Sequence, residues 1–186
     1  KIAGSGPDSD EFAAFRLEEL ELAVDEAHRL GRPVTIHARS RQSVEFAAAA
    51  GVDWIMHASY MDEATLETVV EEGIPILPAP TRLDGIKREI DAAVGIVSKA
   101  YESGATLICG SETGFAMTPY GEWHARELEI FVTMFGVPPH EALLCMTRNA
   151  ARAVPRHTDD IGTLTPGKYA DVLIVDGRPD EDVTVL

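Results

Sequence analysis

The amino-acid sequence predicts a parallel α/β fold, and a repeated pattern along the chain carries that prediction. Four times a helical pattern ends at a glycine and is followed by a short apolar run, in "LGRPVTIHA", "EFAAAAGVDWIMHA", "EEGIPILPAP" and "SGATLICGSE". Each run is apolar on both faces, as strands of a parallel sheet that is covered by helices are. A (β/α)8 TIM barrel and a doubly wound sheet share this alternation, so the spacing leaves both open.

The helices of this pattern have recognisable ends. The residues placed to cap helix C-termini with a positive φ are Gly31, Gly51, Gly73 and Gly104. The residues placed to cap helix N-termini are Asp8, Ser40, Asp62 and Asp84. We expect the first helix to bury one stripe at helical spacing, formed by Phe12, Phe15, Leu20, Val24 and Ala27.

Five strands follow from the same pattern, at 1–2, 34–36, 54–56, 76–77 and 107–109. A full (β/α)8 barrel takes about 250 residues, so on the barrel interpretation these are strands 4–8 with their helices. Two further helices are predicted at 122–135 and 139–154. We therefore divide the chain into the C-terminal half of a barrel, residues 1–157, and a segment at 158–186 that contributes strands to a small β domain. The apolar run of that segment lies in "IGTLTPGKYADVLIVDG".

Composition limits the classes of partner. The chain has 186 residues, 45% of them hydrophobic and 25% charged, and a net charge of -15. Such a charge argues against nucleic acid or an anionic membrane surface as partner, because both require clustered Lys and Arg. No apolar stretch of 18 residues is present. Cys109 and Cys145 lack metal or redox spacing, so we expect buried thiols and a cytoplasmic protein.

Three side chains fall at the ends of predicted strands. His37 stands six residues after Gly31, and His57 stands six residues after Gly51. Glu112 follows the next strand but one, in "CGSETG". Because active sites of parallel α/β proteins lie at the carboxyl ends of the strands, we expect these groups to converge. Two imidazoles and a carboxylate suit zinc or a similar divalent ion, although a single histidine there is often structural.

At these residues the chain resembles the amidohydrolase superfamily of metal-dependent hydrolases, in its imidazolonepropionase-like and prolidase-like branch. "KIAGSG", "VTIHA", "IMHAS", "ICGSETG" and the tail "IGTLTPGKYADVLIVDG" follow in the family's order. The resemblance implies that Lys1 is the strand-4 lysine, which is often carboxylated. It also implies that His37 and His57 are the ligands of strands 5 and 6, and that Glu112 takes the strand-8 place. Two departures are the absence of a His-x-His pair and the glutamate where the family has aspartate.

The activity that the resemblance implies is hydrolysis of a C–N bond in an amide, peptide, cyclic amide or carbamate. One or two divalent ions, with zinc the expected metal, would activate the water. Glu112 would accept the proton of the water and return it to the leaving amine. The alternative is a catalytically inactive metal-binding α/β barrel protein with a structural or regulatory role. A phosphate-binding barrel enzyme is disfavoured, because no glycine-rich phosphate loop precedes a helix.

The remaining expectations concern substrate and partners. His124, after the last predicted strand, and Arg39, two residues after His37, are candidate substrate-binding residues. For His124 an exposed helix position is the alternative, and for Arg39 the alternative is pairing with the chain's own carboxylates. The expected partners are a small-molecule amide or peptide and an N-terminal half of the same protein, as a missing or separate chain. Homo-oligomerisation is left open.

Overall fold

The computed structural model describes residues 2–3, 12–78, 87–114 and 120–186. Two compact units divide the chain, and each is described by itself: the sheet unit, Lys1–Leu107, and the helical unit, Ile108–Leu186. Lys1 and the predicted helix caps Asp8 and Asp84 lie outside the described residues.

A parallel sheet forms the centre of the sheet unit, as the sequence predicts. Its strands are β1 (Ile2–Ala3), β2 (Thr35–Ala38), β3 (Trp54–His57) and β4 (Ile76–Leu77), and they lie side by side in chain order. Every neighbouring pair is parallel, and Ile36, Ile55 and Ile76 form one fully buried row across the sheet. The fifth predicted strand, 107–109, is reduced to a single parallel bridge between Leu107 and Ile76.

Helices connect these strands in the predicted alternation. They are α1 (Leu17–Arg29), α2 (Arg41–Ala49), α3 (Glu63–Glu71) and α4 (Lys87–Glu102). The Ser40 hydroxyl accepts the Ser43 N–H at the start of α2, and the Asp62 carboxylate accepts the Thr65 N–H at the start of α3. Positive φ values at all four predicted C-cap glycines confirm that each helix ends where the sequence placed its end.

The predicted start of the first helix is wrong. α1 begins at Leu17, where the Glu19 carboxylate accepts the Arg16 backbone N–H at 2.9 Å and caps the first turn. Phe12 and Phe15 therefore precede the helix, and their side chains are 50% and 38% exposed. Only the later part of the stripe packs into the core, at Leu20 and Val24.

The helical unit packs around α5 (Glu122–Thr133) and α6 (Pro139–Met146), followed by 3-10 helices at Ala150–Ala153 and Val183–Val185. Its core contains Leu128, Phe131 and Phe135, and the two phenylalanine rings meet edge to face with their centroids 5.4 Å apart. The predicted helix at 139–154 ends earlier than expected, at Met146. None of the helices in the described ranges is long and apolar enough to cross a membrane.

The C-terminal segment departs from the prediction. Residues 158–186 contain no β-strand, so the expected strands of a small β domain do not form. A strand needs a partner for its backbone hydrogen bonds, and no described segment pairs with the apolar run; Leu173 and Ile174 are 76% and 93% exposed. These residues group with 108–157 in one compact unit. Membership of a small β domain stays a prediction.

Candidate functional site

Two histidine rings meet at the carboxyl ends of β2 and β3. Nε2 of His57 lies 2.8 Å from Nδ1 of His37, and the ring centroids are 4.4 Å apart. His57 is 2% exposed, whereas His37 is half-buried. In the sheet register His37 lies opposite Met56 and His57 opposite Ala38, so His57 stands one residue further along than the equal glycine spacing implies. The structure thus brings the two imidazoles together at one edge of the sheet.

The backbone after β4 decides the tautomer of His57. Its Nδ1 lies 3.2 Å from the Pro78 carbonyl oxygen, which can only accept a hydrogen bond. Nδ1 of His57 therefore carries the proton and donates it, and Nε2 of the neutral ring presents a lone pair toward His37. In the described state, Nδ1 of His37 is then the donor between the two rings.

This pair fits a divalent metal ion by its chemistry. A metal-binding histidine commonly donates its second ring N–H to a carbonyl or carboxylate, as His57 does to Pro78. Two nitrogen ligands of one tetrahedral zinc stand about 3.3 Å apart, so exchanging the shared proton for an ion needs an opening of only about half an ångström. Imidazole nitrogens are also ligands that zinc and similar ions prefer.

Glu112 lies in the helical unit, after a segment that is tied to both helices of that unit. The Cys109 N–H donates to the Cys145 carbonyl oxygen at 3.0 Å, and the Ser111 hydroxyl is hydrogen-bonded to Nδ1 of His124 at 2.9 Å. The Glu112 side chain is not buried and remains accessible to solvent.

Two of the three candidate ligands have an unusual backbone conformation. Among the described non-glycine residues, positive φ occurs at His57 (74°), Ala58 (55°) and Glu112 (46°). Side chains disfavour this left-handed region, and such residues persist where the surrounding structure enforces them, often at functional sites. Two of the three are residues that the sequence proposed as metal ligands.

The two candidate substrate-binding residues occupy different settings. Arg39 follows β2 directly and is half-buried, and its carbonyl oxygen accepts the Tyr60 N–H at 2.9 Å. His124 lies in the first turn of α5 and is exposed, with its ring bonded to the buried Ser111. Both positions are compatible with the predicted roles, and neither position tests them.

A buried carboxyl group was missed by the sequence reasoning. Glu127 of α5 is 0% exposed, and Nε1 of Trp123 donates to its Oε1 at 3.1 Å. Its Oε2 has no hydrogen-bond partner among the described residues. Burial raises the pKa of Glu127 to about 8, so the group is mostly neutral at pH 7. The available signal was spacing, because Glu127 stands four residues from both Trp123 and the core residue Phe131.

The two cysteines are buried and free, as expected. Burial first, and then the neighbouring Glu127 and Cys145, raise the pKa of the Cys109 thiol well above its usual range. Burial also raises the pKa of Cys145 to about 11. Both thiols are therefore protonated and unreactive near neutral pH.

Comparisons with known proteins agree on one family. The amidohydrolase family profile matches residues 6–186. Ochratoxinase of Aspergillus niger is 31% identical over 207 aligned residues, which cover 100% of this chain and 42% of that protein. Imidazolonepropionase of Shewanella loihica is 28% identical, over 89% of this chain and 40% of that protein. The chain thus spans less than half the length of these curated relatives.

Solved structures show the same likeness. The crystal structure of A. niger ochratoxinase superposes with a TM-score of 0.86 and 28% identity, covering 99% of this chain and 46% of that one. A Xaa-Pro dipeptidase with bound methionine in its active site superposes with a TM-score of 0.85 at 24% identity, over 99% of this chain and 50% of that one. The latter likeness concerns the fold alone.

Proposed function

This chain belongs to the amidohydrolase family, with its TIM-barrel-like α/β fold, and from that premise we propose that it forms part of a metal-dependent hydrolase that cleaves a C–N bond. One observation carries the proposal within the chain itself. The His37 and His57 nitrogens stand 2.8 Å apart at the carboxyl edge of the sheet, and the Pro78 carbonyl holds the metal-binding tautomer of His57.

We propose His37, His57 and Glu112 as the metal ligands of this chain. Support for Glu112 comes from strand order: β2, β3, β4 and the bridge at Leu107 run parallel, and Glu112 follows Leu107 by five residues. The carboxyl ends of parallel strands share one edge, where the family places its chemistry. Zinc is the proposed metal, as one or two ions, because two imidazoles and a carboxylate suit it. A carboxylated Lys1 remains a further predicted ligand.

The chain's own residues have distinct tasks in this proposal. A bound divalent ion supplies Lewis-acid activation of the water and of the scissile carbonyl group. His37 and His57 hold the ion, and Pro78 orients the His57 ring. Glu112 accepts the proton of the attacking water on its carboxylate and delivers it to the leaving nitrogen, serving as base and then as acid.

The proposed substrate is a small-molecule amide, peptide, cyclic amide or carbamate. Arg39, half-buried just beyond β2, is the proposed contact for an anionic group of that substrate, since its guanidinium can pair with a carboxylate at two points. Because the chain spans 42% of ochratoxinase, we propose that a further segment of the same protein supplies the rest of the barrel and of the substrate pocket.

The experiment uses the whole natural protein and the variant Glu112→Gln. After chelator treatment we expect hydrolysis of N-acyl amino acids, Xaa-Pro dipeptides or cyclic amides to vanish, and to return with added zinc, manganese or cobalt. Glu112→Gln is expected to lower turnover by about 100-fold or more, because it removes the proton acceptor, while most of the metal is retained. Bound metal is measured by elemental analysis of the purified proteins.

The matched control is Glu21→Gln, which neutralises an exposed carboxylate on α1 and is expected to leave turnover unchanged. Full activity of Glu112→Gln would remove Glu112 from the mechanism. A wild-type protein that binds metal but hydrolyses no C–N substrate would favour the alternative, a metal-binding protein without turnover. The glutamate in the family's aspartate place is the feature that keeps this alternative in view.

A further inference from the structure

The backbone at Glu112 needs an explanation that the sheet does not provide. Glu112 has φ 46°, a left-handed conformation that a glutamate adopts only where its surroundings hold it. Bridge residues stand on either side of this segment, Leu107 five residues before Glu112 and Thr113 directly after it. Residues 108–112 themselves are irregular, so an isolated bridge at each end, and not a continuous strand, is all that the sheet contributes here.

Two hydrogen bonds within the helical unit hold this segment instead. The first is the backbone bond from Cys109 to Cys145, three residues before Glu112. The second joins the Ser111 hydroxyl to Nδ1 of His124 at 2.9 Å, directly beside Glu112. Ser111 is 6% exposed, so its side chain is enclosed rather than free to sample other positions.

The helix that carries His124 is itself firmly anchored. In the next turn of α5, Glu127 and Leu128 are 0% and 1% exposed, and Trp123 donates its indole N–H to Glu127. A ring on a packed helix places its hydrogen-bonding atom more accurately than a ring on a loop. The Nδ1 atom of His124 therefore has a well-defined position for its hydrogen bond to the Ser111 hydroxyl.

We propose that His124 is a positioning residue for Glu112, acting through the Ser111 hydroxyl. The inference rests on the proposed function, in which the Glu112 carboxylate must meet the attacking water at a defined angle. Ser111 is not itself the nucleophile of a Ser–His pair, because its enclosure leaves little surface for a substrate carbonyl to approach. The Ser111–His124 bond instead restricts the backbone from which the catalytic carboxylate projects.

The test compares His124→Leu, His124→Asn and Ser111→Ala in the whole, metal-loaded protein. His124→Leu and Ser111→Ala are expected to lower kcat by about 10-fold to 100-fold with KM nearly unchanged, since a misplaced catalytic group slows chemistry rather than binding. His124→Asn is expected to recover most of kcat, because the asparagine side-chain oxygen can stand where Nδ1 stood. That recovery should require Ser111, and the Ser111→Ala/His124→Leu double variant should be no slower than either single one.

A second readout does not depend on turnover. Amide hydrogen exchange of residues 109–114 is expected to accelerate in His124→Leu and to return toward the wild-type rate in His124→Asn, with bound metal unchanged. His140→Leu, on the exposed side of α6, is the control for loss of a histidine.

The outcomes separate the inference from the function on which it rests. A higher KM with unchanged kcat would make His124 a substrate contact and overturn the positioning role. Unchanged exchange in His124→Leu would overturn it as well. If the wild type lacks metal-dependent hydrolysis, the proposed function fails, and the exchange comparison still decides whether His124 holds the Glu112 segment.

Discussion

The ends of β2 and β3 and the segment around Glu112 hold candidate ligands by different physical means. Four register pairs join β2 to β3, from Thr35–Trp54 to Ala38–His57, so backbone hydrogen bonds fix where His37 and His57 lie. Residues 108–112 have no strand pairing, and side-chain and loop contacts to α5 and α6 hold them. Paired strands position the two histidines, whereas a few individual hydrogen bonds position the segment around Glu112.

This difference determines how tolerant each region is to substitution. A ladder distributes its restraint over many bonds, so removing one side chain at its end leaves the backbone in place. A segment that is held by one or two side-chain hydrogen bonds is released when a single substitution removes them. We expect substitutions near the histidines to change chemistry at constant geometry, and those near Glu112 to change geometry first.

The largest expected effect comes from His57→Ala. It removes one imidazole while the four β2–β3 register pairs remain. We therefore expect metal affinity to fall by about 100-fold or more, with little loss of thermal stability. Competition with a chelator of known affinity measures the metal affinity, and thermal unfolding measures the stability. His140→Ala is the control. Metal binding that survives His57→Ala would show that the ladder does not present the ligand we assign to it.

Glu127→Gln tests how firmly α5 is packed, through the pH dependence of the free energy of unfolding. Burial raises the pKa of Glu127 to about 8, whereas the unfolded chain has an ordinary carboxyl pKa. Between about pH 4.5 and about pH 8, the unfolded state loses the proton and the folded state keeps it. The wild type should therefore lose about 1.4 kcal/mol of unfolding free energy per pH unit relative to Glu127→Gln.

The stabilisation that neutral Glu127 contributes is fully present below the pKa of this group in the unfolded chain. It is lost as pH rises through the pKa of the group in the folded protein. Urea unfolding of both proteins at pH 5, 6.5 and 8 measures the difference. Parallel pH curves for the two proteins would mean that Glu127 is solvated in solution, and α5 would then be a poor anchor for His124.

Ser40→Ala is expected to have the smallest effect. The Ser40 hydroxyl accepts the Ser43 N–H at 3.1 Å and donates to the Phe12 carbonyl at 3.0 Å, so the variant loses the N-cap of α2. We expect a loss of about 1 kcal/mol in unfolding free energy, because the ladder beside α2 remains. Urea unfolding with Ser103→Ala, an exposed serine just after α4, as control measures it. A loss several times larger would mean that the cap, and not the ladder, organises this region.

Much of the fold could be predicted because its signals are local. The glycine ends of the helices and the caps at Ser40 and Asp62 depend on residues within one turn, and all were found. The start of α1 was predicted wrongly because the sequence has a capping pattern at Asp8 as well, whereas the helix begins at Leu17, after the cap that Glu19 forms with the Arg16 N–H. Strand extent at 107–109 and in the C-terminal segment could not be predicted from local pattern, because a strand exists only with a partner, which no local pattern specifies.

The candidate site divides in the same way. Equal spacing after two glycines placed His37 and His57 at the same edge of the sheet, although the register differs by one residue from that spacing. The Ser111–His124 bond and the burial of Glu127 did not follow, because each depends on how a helix packs rather than on a repeat. The periodic sequence pattern predicts where the backbone of helices and strands lies. It does not predict which side chain holds an irregular segment in place.

The exposed apolar run of the C-terminal segment is expected to favour self-association at high protein concentration. Val172, Leu173 and Ile174 are 60%, 76% and 93% exposed, and their residue types favour β-structure. Such a run resembles an open sheet edge that can recruit the same run from another molecule. Asp171 and Asp176 flank it, and the net charge of -15 opposes close approach. We therefore expect the carboxylates to keep the chain dispersed, and acid or high salt to remove that protection against aggregation.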